Sequence, residues 1–396
     1  FAHHLEAVAN RQILRLLVNL PMRSAKPLDV DTLVLMVNGT RKRLGDIIAG
    51  EQVITHTGSG ATVLEVHDQG LLDAVCITTG RSRRVISALT HPFLTPEGMV
   101  EAGGLQISQR LGVVANPSCL SHGTRRDAEF TLAGYFVGDG NVTRHKGSLA
   151  ANITSCTPTY IEDIVASADA LGFGTHVAVS KQHVTSINLS KGVRPWLEEI
   201  GLAGRNSYTK EVPAFVFEGS RTQIAKFLAA YFHCDGCISF QTPVVNSHKR
   251  RGVNIEFSSV SQHLMLGIQH LLLRFGIDAS LRETITKKSS KFAMAGYKYY
   301  RLHIAMEEDV AKFYTHIPVL GYKRERFLEY APLRQHFDGP IIADRIVSIE
   351  PVGQHHCMCL TLDKDHTFTA NDLIVSNSVV QMVFFPAWVW ITAPEE

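Results

Sequence analysis

The sequence predicts a multidomain chain in which an all-β unit is split by an α+β insert with two pseudo-symmetric halves. Three observations predict this. Short apolar segments cut by turns occupy the stretch from Pro27 to about residue 124 and return after about residue 338. Between them helix and strand patterns alternate, and one short segment occurs twice, 96 residues apart. Outside both, residues 1–26 and 378–396 share a buried, aromatic style unlike the rest. The expected organisation is therefore a flank (1–26), the first part of the β unit (27–124), the insert (125–337), the rest of the β unit (338–377) and a second flank (378–396).

Bulk properties fit this division. At 396 residues the chain exceeds what one core usually holds. Its hydrophobic fraction of 45% is that of globular units, and a net charge of +2 excludes a chain that binds polyanions over its whole surface. Nucleic-acid contact would have to come from local clusters such as His248-Lys249-Arg250-Arg251 or Lys287-Lys288. Seven cysteines, an odd number, and no signal-like start point to free thiols in a reducing cytoplasm. The most apolar stretch, Val379 to Ile391, carries Gln381 and Pro386 and falls short of the roughly 20 residues a bilayer needs, so no membrane span is expected. A chain that opens on Phe1 is expected to be a fragment of something larger.

Residues 1–16 have helical apolar spacing, and Leu16 to Leu20 suits a short buried strand. Strands are expected at Leu33 to Val37, Gln52 to Thr55, Val63 to Val66 and Ala74 to Thr78, separated by turn signals such as Asn38-Gly39 and Gly58-Ser59-Gly60. Near Ala128 the pattern changes. "FTLAGYFVGDG", Phe130 to Gly140, is echoed by "KFLAAYFHCDG", Lys226 to Gly236. Each copy is followed by a further helix ending in Gly, Ile161 to Gly172 and His263 to Gly276, and then by an apolar strand. Strands return at Arg345 to Ile349 and Cys357 to Leu362.

Each repeated segment reads as a helix with small residues (Ala133, Gly134, Gly138; Ala229, Ala230) that would let two backbones approach, closed by a C-cap Gly (Gly140, Gly236). The Asp before each Gly needs another reason, because a carboxylate at a helix C-terminus is disfavoured by roughly 0.3–1 kcal/mol. Two such groups brought together, Asp139 and Asp235, call for a divalent cation, and Mg²⁺ suits a pair of carboxylates. Both segments resemble the LAGLIDADG motif of homing endonucleases. That resemblance implies cleavage of a double-stranded DNA target, the vacant host gene, by a monomer without an obligatory protein partner. It also implies Asp139 and Asp235 as the metal-binding acids, Lys210 in "TKEVPAF" as a basic residue between the motifs, and Lys298 in "GYKYYRLHI" as the second basic residue. Val137 and His233 stand where the motif has its earlier acid.

The surrounding β segments resemble the splicing blocks of inteins. The first block is matched by "DVDTLVLMVNGTRKRLGDIIAGEQV" and the second by "VISALTHPFLTPEG", which contains His91. The last blocks are matched by "RIVSIEPVGQHHCMCLTLDKDHTFTANDLIVSNS", which ends at Asn377 and Ser378. The implied fold is an all-β Hedgehog/intein (HINT) splicing domain split by the α+β endonuclease. Most inteins begin with Cys or Ser, but Pro27 has no nucleophile. The chain thus resembles the class 3 inteins, which use a cysteine seven residues before the histidine of the penultimate block; counting back from His366 gives Cys359.

The implied chemistry needs no cofactor. Cys359 attacks the Lys26 carbonyl and frees the Pro27 nitrogen, Ser378 takes over the acyl group, Asn377 cyclises, and the ester rearranges to a Lys26–Ser378 peptide bond. His91 would protonate the departing Pro27 nitrogen, and His366 would assist the downstream cleavage. The chain departs from the class at Ala88, Phe93, Val375 and Ser376, where Thr, Trp, Thr and His are usual. A metal reading of His355, His356, Cys357 and Cys359 is disfavoured because adjacent strand residues point to opposite faces. The alternative to a working splicing element is mainly a homing endonuclease in a splicing-impaired frame.

Joining the flanks would place Ser378 directly after Arg23-Ser24-Ala25-Lys26. The joined segment resembles the deviant ATP-binding motif of phage terminase large subunits, with Arg23, Lys26 and Ser378 as the implied phosphate- and Mg²⁺-binding residues of a spliced host. ATP would matter only to that host, since the 45 flank residues cannot fold as an ATPase. The implied location is the cytoplasm of a phage-infected or lysogenic bacterium.

Overall fold

The computed structural model describes residues 26–121, 123–145, 148–179, 184–190, 192–240, 252–286, 296–328 and 341–377, the side chains of 143–150 apart. The expectations on residues 1–25, including Arg23, on Lys249 to Arg251, on Lys287-Lys288 and on Ser378 to Glu396 lie outside the described residues.

The β unit is assembled from both sides of the insert. Strand Leu28–Asp29 runs between Arg84–Ala88 and the long strand Ile341–Leu362, antiparallel to each. The long strand also pairs along its length with Gly60–Thr79, and bulges let the two bend together. Near the end of the unit Thr367–Ala370 pairs with Leu373–Ser376, which in turn touches Phe93 and Val113. Leu28, Val34, Val75, Ile77, Phe93, Ile346, Leu360, Phe368 and Val375 fill its core. Two of the expected strand pairs are each one strand: Val63 to Val66 and Ala74 to Thr78 lie in Gly60–Thr79, and Arg345 to Ile349 and Cys357 to Leu362 lie in Ile341–Leu362. Between them Leu71 to Asp73 pair with Gln354 to His356, where neither segment is buried, so they carry no apolar alternation.

In the insert each repeated segment ends a helix, Asp127–Asp139 and Arg221–Asp235, and each helix leads into a four-stranded antiparallel sheet with its strands in the order 1-2-4-3. The two helices pack directly on each other. A Cβ on Gly134 would lie 2.5 Å from the Phe227 carbonyl oxygen and 2.8 Å from Ala230 Cβ, and one on Gly138 would lie 2.3 Å from Cys234 Cβ. Gly134 and Ala230 are 96 residues apart, as are Gly138 and Cys234, so equivalent positions of the repeat meet across the helix pair.

The glycines that follow the two aspartates do not act as left-handed caps. Gly140 and Gly236 have φ of −75° and −92°, extended values open to any residue. Space is what demands glycine, since a Cβ would fall 2.5 Å from Phe136 Cα and 2.0 Å from Phe232 Cδ2.

Buried charge ties the two units together. Arg83, between two strands of the β unit, donates to Asp344 of the returning strand at 2.7 Å and to Asp278 of the insert at 2.8 Å. His270 of the insert pairs with Asp372 of the β unit at 2.6 Å, and against the effect of burial the His270 hydrogen bond and the Arg41 and Arg83 charges hold the Asp372 carboxyl well below the usual carboxylate range. All seven cysteines are free thiols. Among the described residues no helix is long and apolar enough to cross a membrane.

Candidate splice junctions and acid pair

Leu28 faces Met358 and Asp29 faces Cys357 across the antiparallel pair. Pro27 precedes Leu28 and Cys359 follows Met358, so both lie just beyond the end of this pairing. The thiol is buried, and Gln69 Nε2 lies 3.9 Å from its sulfur. On the other side of the junction, the Ala88 N–H donates to the Pro27 carbonyl at 3.1 Å. The upstream bond is thus held between the strand that carries Cys359 and the turn that carries His91.

His91 is fully buried, and its Nδ1 lies 2.5 Å from the Lys26 carbonyl oxygen. A carbonyl only accepts, so Nδ1 carries the hydrogen, and Nε2 has no partner among the described residues. Burial pushes the ring's pKa down to about 3, with the hydrogen bond to Lys26 opposing. In this structure the ring therefore meets the Lys26 carbonyl oxygen, on the bond to Pro27.

At the downstream junction Asn377 is fully buried. The side-chain orientation that satisfies both ends has Nδ2 donating to the His366 carbonyl at 2.8 Å and Oδ1 accepting from the Leu362 N–H at 2.9 Å. Its backbone N–H also donates to the His366 carbonyl, at 3.1 Å. His366 therefore meets Asn377 through its main chain, in a left-handed turn (φ 49°), while its side chain is exposed. The four departures from the splicing blocks gather here. Phe93 pairs with Val375 in register, and its ring stands edge-on to His91 with centroids 5.4 Å apart. Ala88 holds Pro27, and Ser376 accepts from Lys26 Nζ at 2.8 Å.

The acid pair lies at the C-terminal ends of the two packed helices. Burial, and then the neighbouring Asp139 charge, push the Asp235 carboxyl up to about 6. Asp139 keeps an exposed edge, and partial burial raises its carboxyl as well, with Lys210 and Lys323 opposing. Lys210 donates to the carbonyls of Phe136 (3.0 Å), Gly138 (3.1 Å) and Gly140 (3.0 Å) at the end of the first helix. Lys323 does the same for the second helix, donating to Phe232 and His233 carbonyls at 2.7 Å each. Burial lowers the Lys323 ammonium to about 8. Lys298 does not join this group: it is half-exposed and pairs with Glu283 at 2.7 Å. Lys323 escaped the sequence reading because it lies in a polar helix, Gly321–Leu328, far along the chain from either motif.

His233, in place of the motif's earlier acid, bridges the halves. Its Nδ1 meets the Tyr135 hydroxyl at 2.8 Å, that hydroxyl donates to Asp163 at 2.9 Å, and its Nε2 accepts from the Leu320 N–H at 2.8 Å. His355 and His356 hydrogen-bond to Asp29 and Asp68, each at 2.7 Å. Among the described residues no three His, Cys, Asp or Glu side chains are grouped as a metal site. The donors left for a cation are thus the two carboxylates, which fits Mg²⁺, a cation that binds through one or two carboxylates and keeps waters.

Residues 222–318 match the LAGLIDADG-like domain family. Over the longer chain the similarity is to replicative DNA helicases DnaB. That of Rhodothermus marinus is 24% identical over 452 residues, covering 91% of this chain and 46% of the helicase. That of Synechocystis sp. is 26% identical over 385 residues, covering 77% and 43%. The chain spans less than half the length of these relatives. Among solved structures, a DnaB intein from Synechocystis sp. is similar at 10% identity and a TM-score of 0.31, with 89% of this chain and 99% of that one covered. Both sequence relatives are helicases, so they lend the terminase host no support.

Proposed function

We propose that residues Pro27 to Asn377 form an intein that excises itself and carries a homing endonuclease as its insert. The observation that carries the splicing half is the arrangement at the upstream junction: His91 on the Lys26 carbonyl oxygen, with Cys359 next to Met358, the strand partner of Leu28. Neutral His91 donates its Nδ1–H to that oxygen and stabilises the negative charge that grows there under attack. The Cys359 sulfur bonds to the Lys26 carbonyl carbon, the Lys26–Pro27 C–N bond breaks, and the thiol proton goes to the Pro27 nitrogen. The Ser378 hydroxyl oxygen then displaces the sulfur, returning a proton to it. Asn377 Nδ2 attacks its own carbonyl carbon, the bond to Ser378 breaks, and one amide proton moves to the Ser378 nitrogen. That amine displaces the ester oxygen and leaves Lys26 joined to Ser378.

For the endonuclease half, Mg²⁺ held by Asp139 and Asp235 would supply the charge that activates a water against a DNA phosphate. Lys210 and Lys323 occupy the helix-end carbonyls and place a positive charge beside each carboxylate. The host remains a separate proposal, a terminase ATP-binding loop rejoined at Lys26–Ser378, and it rests on the two flanks alone.

Intact-mass analysis of the expressed full chain tests the splicing half. A 351-residue product together with a joined 45-residue flank supports it, and a precursor that stays whole refutes it. Cleavage of a vacant target gene in Mg²⁺ tests the endonuclease half, and it should be lost in Asp139→Asn and Lys323→Met but kept in Lys298→Met.

A further inference from the structure

Lys26 is gripped at two places. Its carbonyl meets His91, and its ammonium donates to Ser376 Oγ at 2.8 Å, across 350 residues of chain. Ser376 is buried, at 4% exposure, and its hydroxyl has one hydrogen to give. That hydrogen has two acceptors in reach, the Asn377 carbonyl at 3.2 Å and the His366 carbonyl at 3.5 Å. The nearer one is the carbonyl that Asn377 Nδ2 must attack. The upstream flank's last side chain and the downstream reacting oxygen are therefore two hydrogen bonds apart.

We infer that Lys26 is a positioning residue for the downstream junction: its ammonium holds and polarises the Ser376 hydroxyl, which stabilises the oxyanion formed on the Asn377 carbonyl. The inference rests on the splicing reading of the two junctions. Serine alone is a weak donor, and a hydroxyl that accepts from a cation donates more strongly at its other end. The pair thus supplies what Ser376 cannot supply by itself. It also couples the steps. Transfer of the upstream segment to Ser378 keeps Lys26 next to Asn377 in the chain, whereas loss of that segment by hydrolysis takes the ammonium away. Asn377 then cyclises slowly, and the downstream flank is retained unless there is something to join it to.

The test uses the full chain with Cys359→Ala, which leaves Lys26 in place, and follows release of residues 378–396 by mass spectrometry. Lys26→Met and Ser376→Ala should each slow release at least ten-fold, and the double variant should be no slower than the slower single. Lys26→Arg should keep most of the rate. Ser376→His should restore release and make it indifferent to Lys26→Met, a pattern that general destabilisation does not produce. Release from Lys26→Met at the parent rate overturns the proposal, as do losses that multiply in the double variant. Release seen in the parent but absent from Cys359→Ala also overturns it, because Asn377 would then wait on the upstream step and not on Lys26. If neither chain releases the flank, the splicing reading itself fails and the proposal falls with it.

Discussion

The Nδ1 atom of His91 lies 2.5 Å from the carbonyl oxygen of Lys26, although 65 residues separate them. On the proposed splicing reading, a buried neutral imidazole at that oxygen would act as an oxyanion donor. Replacing His91 by Ala should therefore slow cleavage at Lys26–Pro27 by about 10²–10³-fold, read as the accumulation of uncleaved precursor.

Acid stability carries the same signature. The folded ring resists protonation down to about pH 3, as does His233, while an unfolded histidine takes a proton below about pH 6.5. The contribution of each is fully present above 6.5 and is lost as pH falls from there towards 3. Melting temperature should drop across that window, and less steeply in His91→Gln than in the parent.

Asp235 works in the opposite sense. Its carboxyl is raised to about 6 in the fold, so its ionisation costs stability above that pH and costs nothing below about 3.8. Asp235→Asn should stabilise the metal-free chain by about 3 kcal/mol at pH 7.5 and by little at pH 3.5, while DNA cleavage is lost. Thermal melts at the two pH values check the sign.

The helix pair leaves no room for a methyl group. Gly138→Ala places a Cβ 2.3 Å from Cys234 Cβ and should cost about 1–3 kcal/mol. A melt of the insert transition measures it, and Cys234→Gly in the same chain should return part of the loss.

Arg83 joins three segments that the sequence keeps far apart. Arg83→Met strands Asp278 and Asp344 without their shared cation, and breaking a buried pair of this kind costs about 3–5 kcal/mol. The urea midpoint should fall accordingly.

The acid pair was legible in the sequence because a 96-residue repeat carries it, and a repeat survives without any knowledge of contacts. Several strands of the β unit were legible because Leu33 to Val37, Gln52 to Thr55 and Ala74 to Thr78 are short apolar runs bounded by turn signals. Sequence reading failed where a role is created by tertiary contact. Lys323 lies in a polar helix that gives no local sign of its contact with the second motif helix, and only the packing of Gly321–Leu328 sets it on the Phe232 and His233 carbonyls. The C-cap glycines were found at Gly140 and Gly236, but their reason was not legible, since the fold uses the lack of a Cβ and not a left-handed conformation. His91 was expected beside Lys26–Pro27 and meets the Lys26 carbonyl oxygen, but the ring atom that does so was not legible, because a motif gives a residue's neighbourhood and not the direction of its ring. Ser376 read as the loss of a histidine, and nothing local to it points to Lys26.

The central claim is that Cys359 forms a thioester with Lys26, and trapping that thioester tests it most directly. In a full chain with Asn377→Ala and Ser378→Ala the acyl group has nowhere further to go. Treatment with a small thiol should then release residues 1–26 as a thiol adduct, identified by mass, and Cys359→Ala should abolish the release. A chain that yields no such fragment, or one that still yields it without Cys359, would contradict the account.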